Sequence, residues 1–112
     1  MLPADSRLRR SVEILDTLKR GRRLTSRLVV LHVLAGASPQ QSARFAFAVG
    51  KNVGNSVVRH RTTRRLRHIV AELPAGLPAG SHVVVRALPP SAQASFAELR
   101  QCVADAAAKA SA

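Results

Sequence analysis

The sequence predicts one α+β domain in which two strands precede a long basic helix, and a third strand and a last helix follow it. Three observations support this class. Apolar residues recur at helical spacing in three segments, and they form short β-branched or alternating runs in three others. The two kinds of segment are interspersed along the chain. The third observation is size, because 112 residues with 46% hydrophobic content can build one core.

A basic arm, residues 1–10, leads into a first helix predicted at Ser11–Arg20. Ser11 is a candidate cap, and Gly21 stands just past the end of the helical pattern. A helix this short needs tertiary contacts to be stable, so we expect it to dock through its apolar side. That side is formed by Ile14, Leu15 and Leu18.

Two strands are predicted after this helix. Residues 21–27 are interpreted as a basic connection, and Leu28–Leu34 (LVVLHVL) as a buried strand because it is rich in β-branched residues. Residues 36–41 (GASPQQ) indicate a turn. The segment Arg44–Val49 then alternates between large and small side chains, with Phe45, Phe47 and Val49 on one face.

A long basic helix is predicted at about Asn55–Glu72, with Asn55 as its cap. At about 100° per residue, one side of this helix is apolar and the opposite side is cationic. Arg59 and Arg65 flank the apolar side, and Lys51 lies in the loop before the helix. The apolar side contains Val58, Thr62, Leu66, Ile69 and Val70, and the cationic side contains His60, Arg61, Arg64, Arg67 and His68.

The charge is confined to the middle of the chain. Between Thr17 and Ala71 there are twelve Lys or Arg and no Asp or Glu, so this block accounts for the net charge of +12. A surface kept charged only for solubility normally mixes both signs, so we favour a polyanion partner, with nucleic acid first. An anionic membrane is the weaker alternative, because the basic helix has no Trp or Phe to anchor it.

The C-terminal part is predicted to contain a connector at residues 73–80, a strand at His82–Leu88 and a last helix ending at about Ala108. Ser95 and Glu98 have the spacing of a capping box at the start of that helix. We expect residues 109–112 to fray. The single cysteine, Cys102, is interpreted as a buried, inert thiol.

No catalytic site is predicted in the protein, and no small-molecule substrate. The six acidic residues are scattered, with no close pair suited to metal-assisted phosphodiester cleavage, and the histidines lack metal-ligand spacing. The chain shows neither a signal peptide nor a run of ~18 apolar residues, so we expect a cytoplasmic protein without a membrane partner.

The run Lys51–Arg67 (KNVGNSVVRHRTTRRLR) resembles the arginine-rich signature of the bacterial ribonuclease P protein family. In that family a lysine-bearing loop leads into Gly-Asn, and Arg-Asn-Arg then opens a basic helix. The resemblance extends over most of the chain, from Arg7-Leu8 to the strand HVVVRALPP and the last helix. The positions that match the signature are Gly54, Asn55, Arg59, Arg61, Arg64 and Arg67.

The resemblance implies a single-domain αβββαβα sandwich, a fold shared with one domain of a small-subunit ribosomal protein. It also implies a left-handed β-α-β crossover, whereas such a unit is ordinarily right-handed. The implied function is to bind the catalytic ribonuclease P RNA and the 5′ leader of precursor tRNA while the RNA removes the leader with Mg²⁺. On this basis the RNA-binding residues are Lys51, Asn55, Arg59, His60, Arg61, Arg64, Arg65 and Arg67.

The sequence departs from the family pattern at several positions, including Asn52 and Thr63, where lysine is common in the family. His60 replaces the middle asparagine of Arg-Asn-Arg. The family's leader cleft, between the first helix and the sheet, is often lined by Phe and Tyr, but the matching positions here are Ile14, Leu18 and His32. Aliphatic side chains cannot stack on bases as aromatic ones do, so we expect more phosphate contact here, with His32 as the candidate to stack or hydrogen-bond. An ordinary buried strand histidine is the alternative for His32.

Two other functions stay open from the sequence. The first is a structural RNA-binding protein such as a small ribosomal protein, which composition alone does not exclude. The second is a DNA-binding helix module, which is disfavoured because the basic helix has no second, closely spaced helix before it.

Overall fold

The structure is a computed structural model that describes residues 7–37, 42–73 and 77–111. Its elements follow the αβββαβα order that the family resemblance implies, which confirms that expectation. They are α1 (Ser11–Arg20), β1 (Arg22–Thr25), β2 (Val29–Leu34), β3 (Arg44–Ala48), α2 (Ser56–Glu72), β4 (His82–Ala87) and α3 (Phe96–Ala108), with 3-10 turns at Pro89–Ala92 and Lys109–Ser111.

The four strands form one mixed sheet in the order β1-β2-β4-β3. The pairs β1–β2 and β2–β4 are antiparallel, and β3–β4 is parallel. A parallel pair needs a crossover connection, and α2 lies in that connection. The left hand of this crossover stays a prediction from the family resemblance.

Strand β1 corrects the expectation that residues 21–27 form only a connection. Arg22–Thr25 pairs along its whole length with β2, from Arg22 opposite Val33 to Thr25 opposite Val30. Only Leu24 of β1 is buried. Pairing with the neighbouring strand, rather than its own apolar content, therefore makes this segment a strand.

The main core lies between one face of the sheet and the two helices α2 and α3. Strand residues Leu31, Val83 and Val85 pack in the same cluster as Leu66 and Ile69 of α2. Helix α3 contributes Leu99, Val103 and Ala106, which are fully buried. The predicted alternation of β3 is confirmed, because Phe45 and Phe47 both lie against this cluster.

Helix α1 lies on the opposite face of the sheet, but not through the side that the sequence suggests. Val12 is 78% exposed and Leu15 is 62% exposed, while Thr17 is fully buried. The Thr17 hydroxyl donates to the Glu13 carbonyl oxygen (2.7 Å), so the buried group keeps a hydrogen bond. The predicted apolar side is therefore not the docking side of α1, because Leu15 and Leu18 are exposed and only Ile14 is half-buried.

The turn from α1 into β1 requires glycine. The Gly21 N–H donates to the Thr17 carbonyl oxygen (2.9 Å), and a Cβ at Gly21 would overlap that same oxygen. Arg10, not Ser11, stands at the cap position before α1, and it makes no side-chain cap hydrogen bond. The helix is therefore held by its end at Gly21 and by its contacts with the sheet.

Residues near both ends of the described chain contact the sheet. Part of the predicted basic arm pairs with β3, since the Leu8 N–H donates to the Phe45 carbonyl oxygen (2.7 Å). Residues 1–6 lie outside the described residues, as do 38–41 of the predicted turn and 74–76 of the predicted connector. Beyond α3, the Lys109 ammonium donates to the Thr25 carbonyl oxygen (2.6 Å). Fraying of residues 109–112 stays a prediction.

The capping box before α3 is confirmed. Glu98 N–H donates to the Ser95 hydroxyl (3.1 Å), and Ser95 N–H donates to the Glu98 carboxylate (2.8 Å). Cys102 is a buried free thiol, as the sequence indicates. In the part of the chain that the structure describes, no helix has the length and apolar content to cross a membrane.

Candidate nucleic-acid interface

The start of α2 is built by three neighbouring residues. The Asn55 carboxamide oxygen accepts a hydrogen bond from Val58 N–H (3.0 Å), which confirms Asn55 as the cap. Gly54 lies so close to Val58 that a Cβ at position 54 would be 2.8 Å from the Val58 Cβ. Lys51 is exposed in the turn before them. This geometry sets the direction of α2 and leaves a cation beside its positive end.

The two predicted faces of α2 are confirmed. Thr62, Leu66, Ile69 and Val70 are buried, and the Thr62 hydroxyl donates to the Val58 carbonyl oxygen (2.9 Å). The opposite side forms an exposed cationic ridge. This ridge consists of His60, Arg61, Arg64, Arg67 and His68.

Two of the predicted RNA-binding arginines also hold the protein together. Arg61 Nη2 donates to the Ala92 carbonyl oxygen (3.1 Å), and Arg65 Nη1 donates to the Ala94 carbonyl oxygen (3.2 Å). Both carbonyls belong to the segment just before α3. These bonds brace α2 against that segment, so only part of each guanidinium remains available to a ligand.

The other predicted cations of α2 converge on a groove. This ridge groove has a volume of about 590 Å³, and four of the predicted residues, Arg59, His60, Arg64 and Arg67, line it. Three further lining residues, Val49, Ser56 and Thr63, were not predicted. Helical spacing from Arg59 and His60 could have found Ser56 and Thr63, since residues three and four apart share a face.

Few negative charges compete for these cations. Each acidic residue among those described has a polar contact of its own within the protein. Asp16 bonds Arg20 through both oxygens (2.6 Å each), and this pairing lowers the pKa of the Asp16 carboxyl. The remaining contacts are Glu13 with His82, Glu72 with His68, Glu98 with Ser95 and Arg27, and Asp105 with Gln101.

The predicted leader face lies on the α1 side of the sheet. Ile14 is half-buried and Leu18 is 36% exposed, but His32 is only 6% exposed. Burial lowers the pKa of His32, and the nearby Arg86 and Arg23 lower it further. The imidazole is therefore neutral at pH 7, and stacking of a base on it would require the covering side chains to move.

Arg23 and Arg86 are exposed on this same face and were not singled out from the sequence. The β1–β2 register places Arg23 opposite His32, and Arg86 lies opposite Val30 on β4. Arg86 is the only charged residue in the strand HVVVRA, so the sequence alone could have indicated it as a candidate. Both guanidiniums can meet phosphate groups that approach the α1 side.

Potential metal ligands are dispersed among the described residues. Within them, no three His, Cys, Asp or Glu side chains converge as metal ligands. Mg²⁺ takes oxygen ligands, usually carboxylates and phosphates, and no cluster of three such carboxylates is found among the described residues.

The chain is similar in sequence to curated proteins of one kind. A family model described as Ribonuclease P matches residues 2–111. The ribonuclease P protein component of Acidothermus cellulolyticus is 50% identical over 99 residues, which cover 88% of this chain and 82% of that protein. The corresponding protein of Corynebacterium diphtheriae is 47% identical over 105 residues, covering 89% of this chain and 88% of that one.

Solved structures show the same fold. The RNase P protein from Thermotoga maritima superposes with a TM-score of 0.80 at 20% identity, covering 92% of this chain and 96% of that one. The RNase P protein from Staphylococcus aureus gives a TM-score of 0.75 at 18% identity, covering 88% of both chains. At these identities the solved structures support only a shared fold. The family relationship rests on the sequence relatives.

Proposed function

Because the chain belongs to the ribonuclease P protein family, we propose that it is the subunit that assists a catalytic RNA in removing the 5′ leader of precursor tRNA. In this proposal the partner is the ribonuclease P RNA, and the RNA carries out the phosphodiester hydrolysis. The protein binds both the RNA subunit and the leader. Because both partners are transcripts, we place the protein in the cytoplasm.

The observation that carries this proposal is the ridge groove on α2. Arg59, His60, Arg64 and Arg67 line one concave surface, with the Ser56 and Thr63 side chains beside them. Guanidinium groups bind phosphate oxygens through two parallel N–H bonds, and the Ser56 hydroxyl can donate one more. The Thr63 hydroxyl already donates to the Arg59 carbonyl oxygen (2.9 Å). A groove with this lining fits the sugar-phosphate backbone of a folded RNA.

The positions of the cations suggest how two RNAs are held at once. The ridge groove lies with α2, which packs on one face of the sheet, whereas Arg23 and Arg86 lie on the face that carries α1. We assign the ribonuclease P RNA to the ridge groove and the leader to the α1 face, near Ile14 and Leu18. The sheet between them fixes the distance between the two RNA-binding surfaces.

We assign Mg²⁺ mainly to the RNA partner and the substrate, since the described protein residues do not form a site for it. The protein's contribution is positive charge. Its guanidiniums reduce the repulsion between the two phosphate backbones, which magnesium would otherwise have to screen. The assistance should therefore be largest where magnesium is scarce.

Reconstitution tests this proposal. The cognate ribonuclease P RNA is incubated at low magnesium with a precursor tRNA that has a 5′ leader, and cleavage is followed with and without the protein. We expect the protein to accelerate cleavage strongly at low magnesium and weakly at high magnesium. Cleavage by the protein without the RNA, or no acceleration at any magnesium concentration, would contradict the proposal.

The same assay separates this function from that of a structural RNA-binding protein such as a ribosomal protein. Such a protein would bind RNA but would not accelerate this cleavage. The family match over residues 2–111 does not favour that alternative.

A further inference from the structure

A second concave surface lies beside the ridge groove, where α2 meets the start of α3. This α2–α3 pocket has a volume of about 470 Å³, and most of its lining is apolar. It is lined by Arg64, Arg65, Arg67, His68 and Phe96. None of the predicted roles of the chain requires an aromatic, apolar pocket at this position.

Phe96 supplies the aromatic wall of the pocket. The chain has three phenylalanines and no Trp or Tyr, and Phe45 and Phe47 pack against the core from β3. Phe96 is half-buried as the first residue of α3, and it too packs against the core cluster with part of its surface. Its ring meets the His68 ring edge to face, with 5.8 Å between the ring centres and 62° between the planes. Such a pair leaves π-surface available for a third ring.

The walls of the pocket are held in place by contacts within the protein. His68 Nε2 lies 3.0 Å from a Glu72 carboxylate oxygen, and the His68 side chain remains 57% exposed. Arg65 is fixed by its bond to the Ala94 carbonyl oxygen. A preformed pocket loses less conformational entropy when it binds a ligand.

The charges around the pocket select for an anionic ligand. Arg64 and Arg67 line both the α2–α3 pocket and the ridge groove, and neither guanidinium has a hydrogen bond or ion pair with another described residue. The carboxylate of Glu72 lies one helical turn beyond His68, away from Arg64. A phosphate is therefore attracted to the Arg64 end of the pocket and repelled from the Glu72 end.

We propose that the α2–α3 pocket binds one unstacked base of single-stranded RNA against Phe96 and His68, with its phosphates on Arg64 and Arg67. This rests on the proposed function, because it takes an RNA partner as given. It adds that the protein contacts a base, whereas a ridge that acts through charge alone would contact only the sugar-phosphate backbone of the RNA. Aromatic stacking with adjacent arginines is how proteins commonly hold unpaired bases.

The absence of Trp and Tyr from the sequence makes a direct test possible. Phe96→Trp introduces the only indole of the chain at the pocket wall. The probes are an oligoadenylate of about ten nucleotides, within the usual span of single-strand sites, and an abasic phosphodiester of equal length and charge. We expect the oligoadenylate to quench the Trp fluorescence and the abasic strand to leave it unchanged. Equal effects of the two strands, or no effect of either, would overturn the proposal.

Phe96→Leu is the matched variant, because it keeps apolar volume and removes the π-face. We expect wild type to bind the oligoadenylate at least about fivefold more tightly than the abasic strand, the lower end of one base–aromatic stack. The Phe96→Leu variant should bind both strands with the affinity that wild type has for the abasic strand. Urea unfolding of the variant checks that it is folded. A preference for the oligoadenylate that survives in Phe96→Leu would contradict base binding at Phe96.

The two proposals fail differently. If wild type accelerates precursor cleavage but shows no preference for base-bearing strands, the pocket proposal is wrong and the proposed function stands. If wild type does not accelerate cleavage, the proposed function is wrong whatever the pocket binds.

Discussion

His32 is a buried strand histidine that lies beside two arginines. It is 6% exposed, and this burial lowers its pKa below the ordinary value of 6.5; the nearby Arg86 and Arg23 lower the pKa further. Its Nε2 is buried and has no hydrogen-bond partner among the described residues. A protonated imidazole at this position would be both desolvated and repelled, so the fold favours the neutral form.

This environment makes the free energy of unfolding depend on pH. His32 of the unfolded chain binds a proton near pH 6.5, whereas His32 of the folded protein binds one only at lower pH. The free energy of unfolding is therefore at its full value above pH 6.5 and decreases as the pH falls below it. His32→Leu removes this titration. We expect wild type to lose more stability than His32→Leu between pH ~7.5 and pH ~5.5, as measured by urea unfolding. Parallel pH profiles of the two proteins would contradict this account of His32.

Individual residue roles were predictable where one local contact decides them. The Asn55 cap and the Ser95–Glu98 capping box are formed by residues three positions apart, and sequence spacing alone indicates them. The bracing bonds of Arg61 and Arg65 were not predictable in this way. Their acceptors, Ala92 and Ala94, lie about thirty residues away in sequence, and only the folded chain brings them together.

Among the elements, α2 depends most on its first turn. Asn55→Ala removes the side-chain acceptor for Val58 N–H and should lower the free energy of unfolding by about 1 kcal/mol. Asn55→Ser retains a capping oxygen and should recover most of that loss. Urea unfolding of the three proteins measures this. If Asn55→Ser were as unstable as Asn55→Ala, the cap would not explain the stabilisation by Asn55.

The same two variants separate capping from RNA binding by Asn55. Since the carboxamide oxygen is used by the helix, only the amide N–H groups of Asn55 remain for RNA. Asn55→Ser keeps the helix start but lacks those groups. A loss of RNA affinity in Asn55→Ser at unchanged stability would support the predicted RNA contact.

Two elements show why sequence patterns were insufficient. Strand β1 buries only Leu24 of its four residues, so its own sequence has no detectable periodicity, and β2 supplies the pairing. Helix α1 has an apolar stripe that indicates one docking side, yet Thr17 is the residue that is buried. A hydroxyl bonded to the preceding turn can be buried at low cost, and this option is absent from a count of apolar residues.

At the scale of the whole molecule, the distribution of charge could be predicted, but its division into surfaces could not. The block without acidic residues between Thr17 and Ala71 is visible in the sequence. The fold divides its cations between the α2 side and the α1 side of one sheet. It also engages the acidic side chains of the described residues in internal contacts. The ridge is therefore left to interact with an external polyanion.

The central claim is that free arginines of the ridge groove contact RNA phosphates, and the salt dependence of RNA binding tests it most directly. Affinity for the ribonuclease P RNA is measured over a range of salt concentrations for wild type and for a double variant that carries both Arg64→Ala and Arg67→Ala. Each lost phosphate contact lowers the slope of log affinity against log salt by about one, so we predict a decrease of one to two. The control is a double variant with Lys19→Ala and Arg22→Ala, which removes the same charge from exposed positions outside α2. This control should keep the wild-type slope of log affinity against log salt. An unchanged slope in the Arg64 and Arg67 variant would contradict the claim.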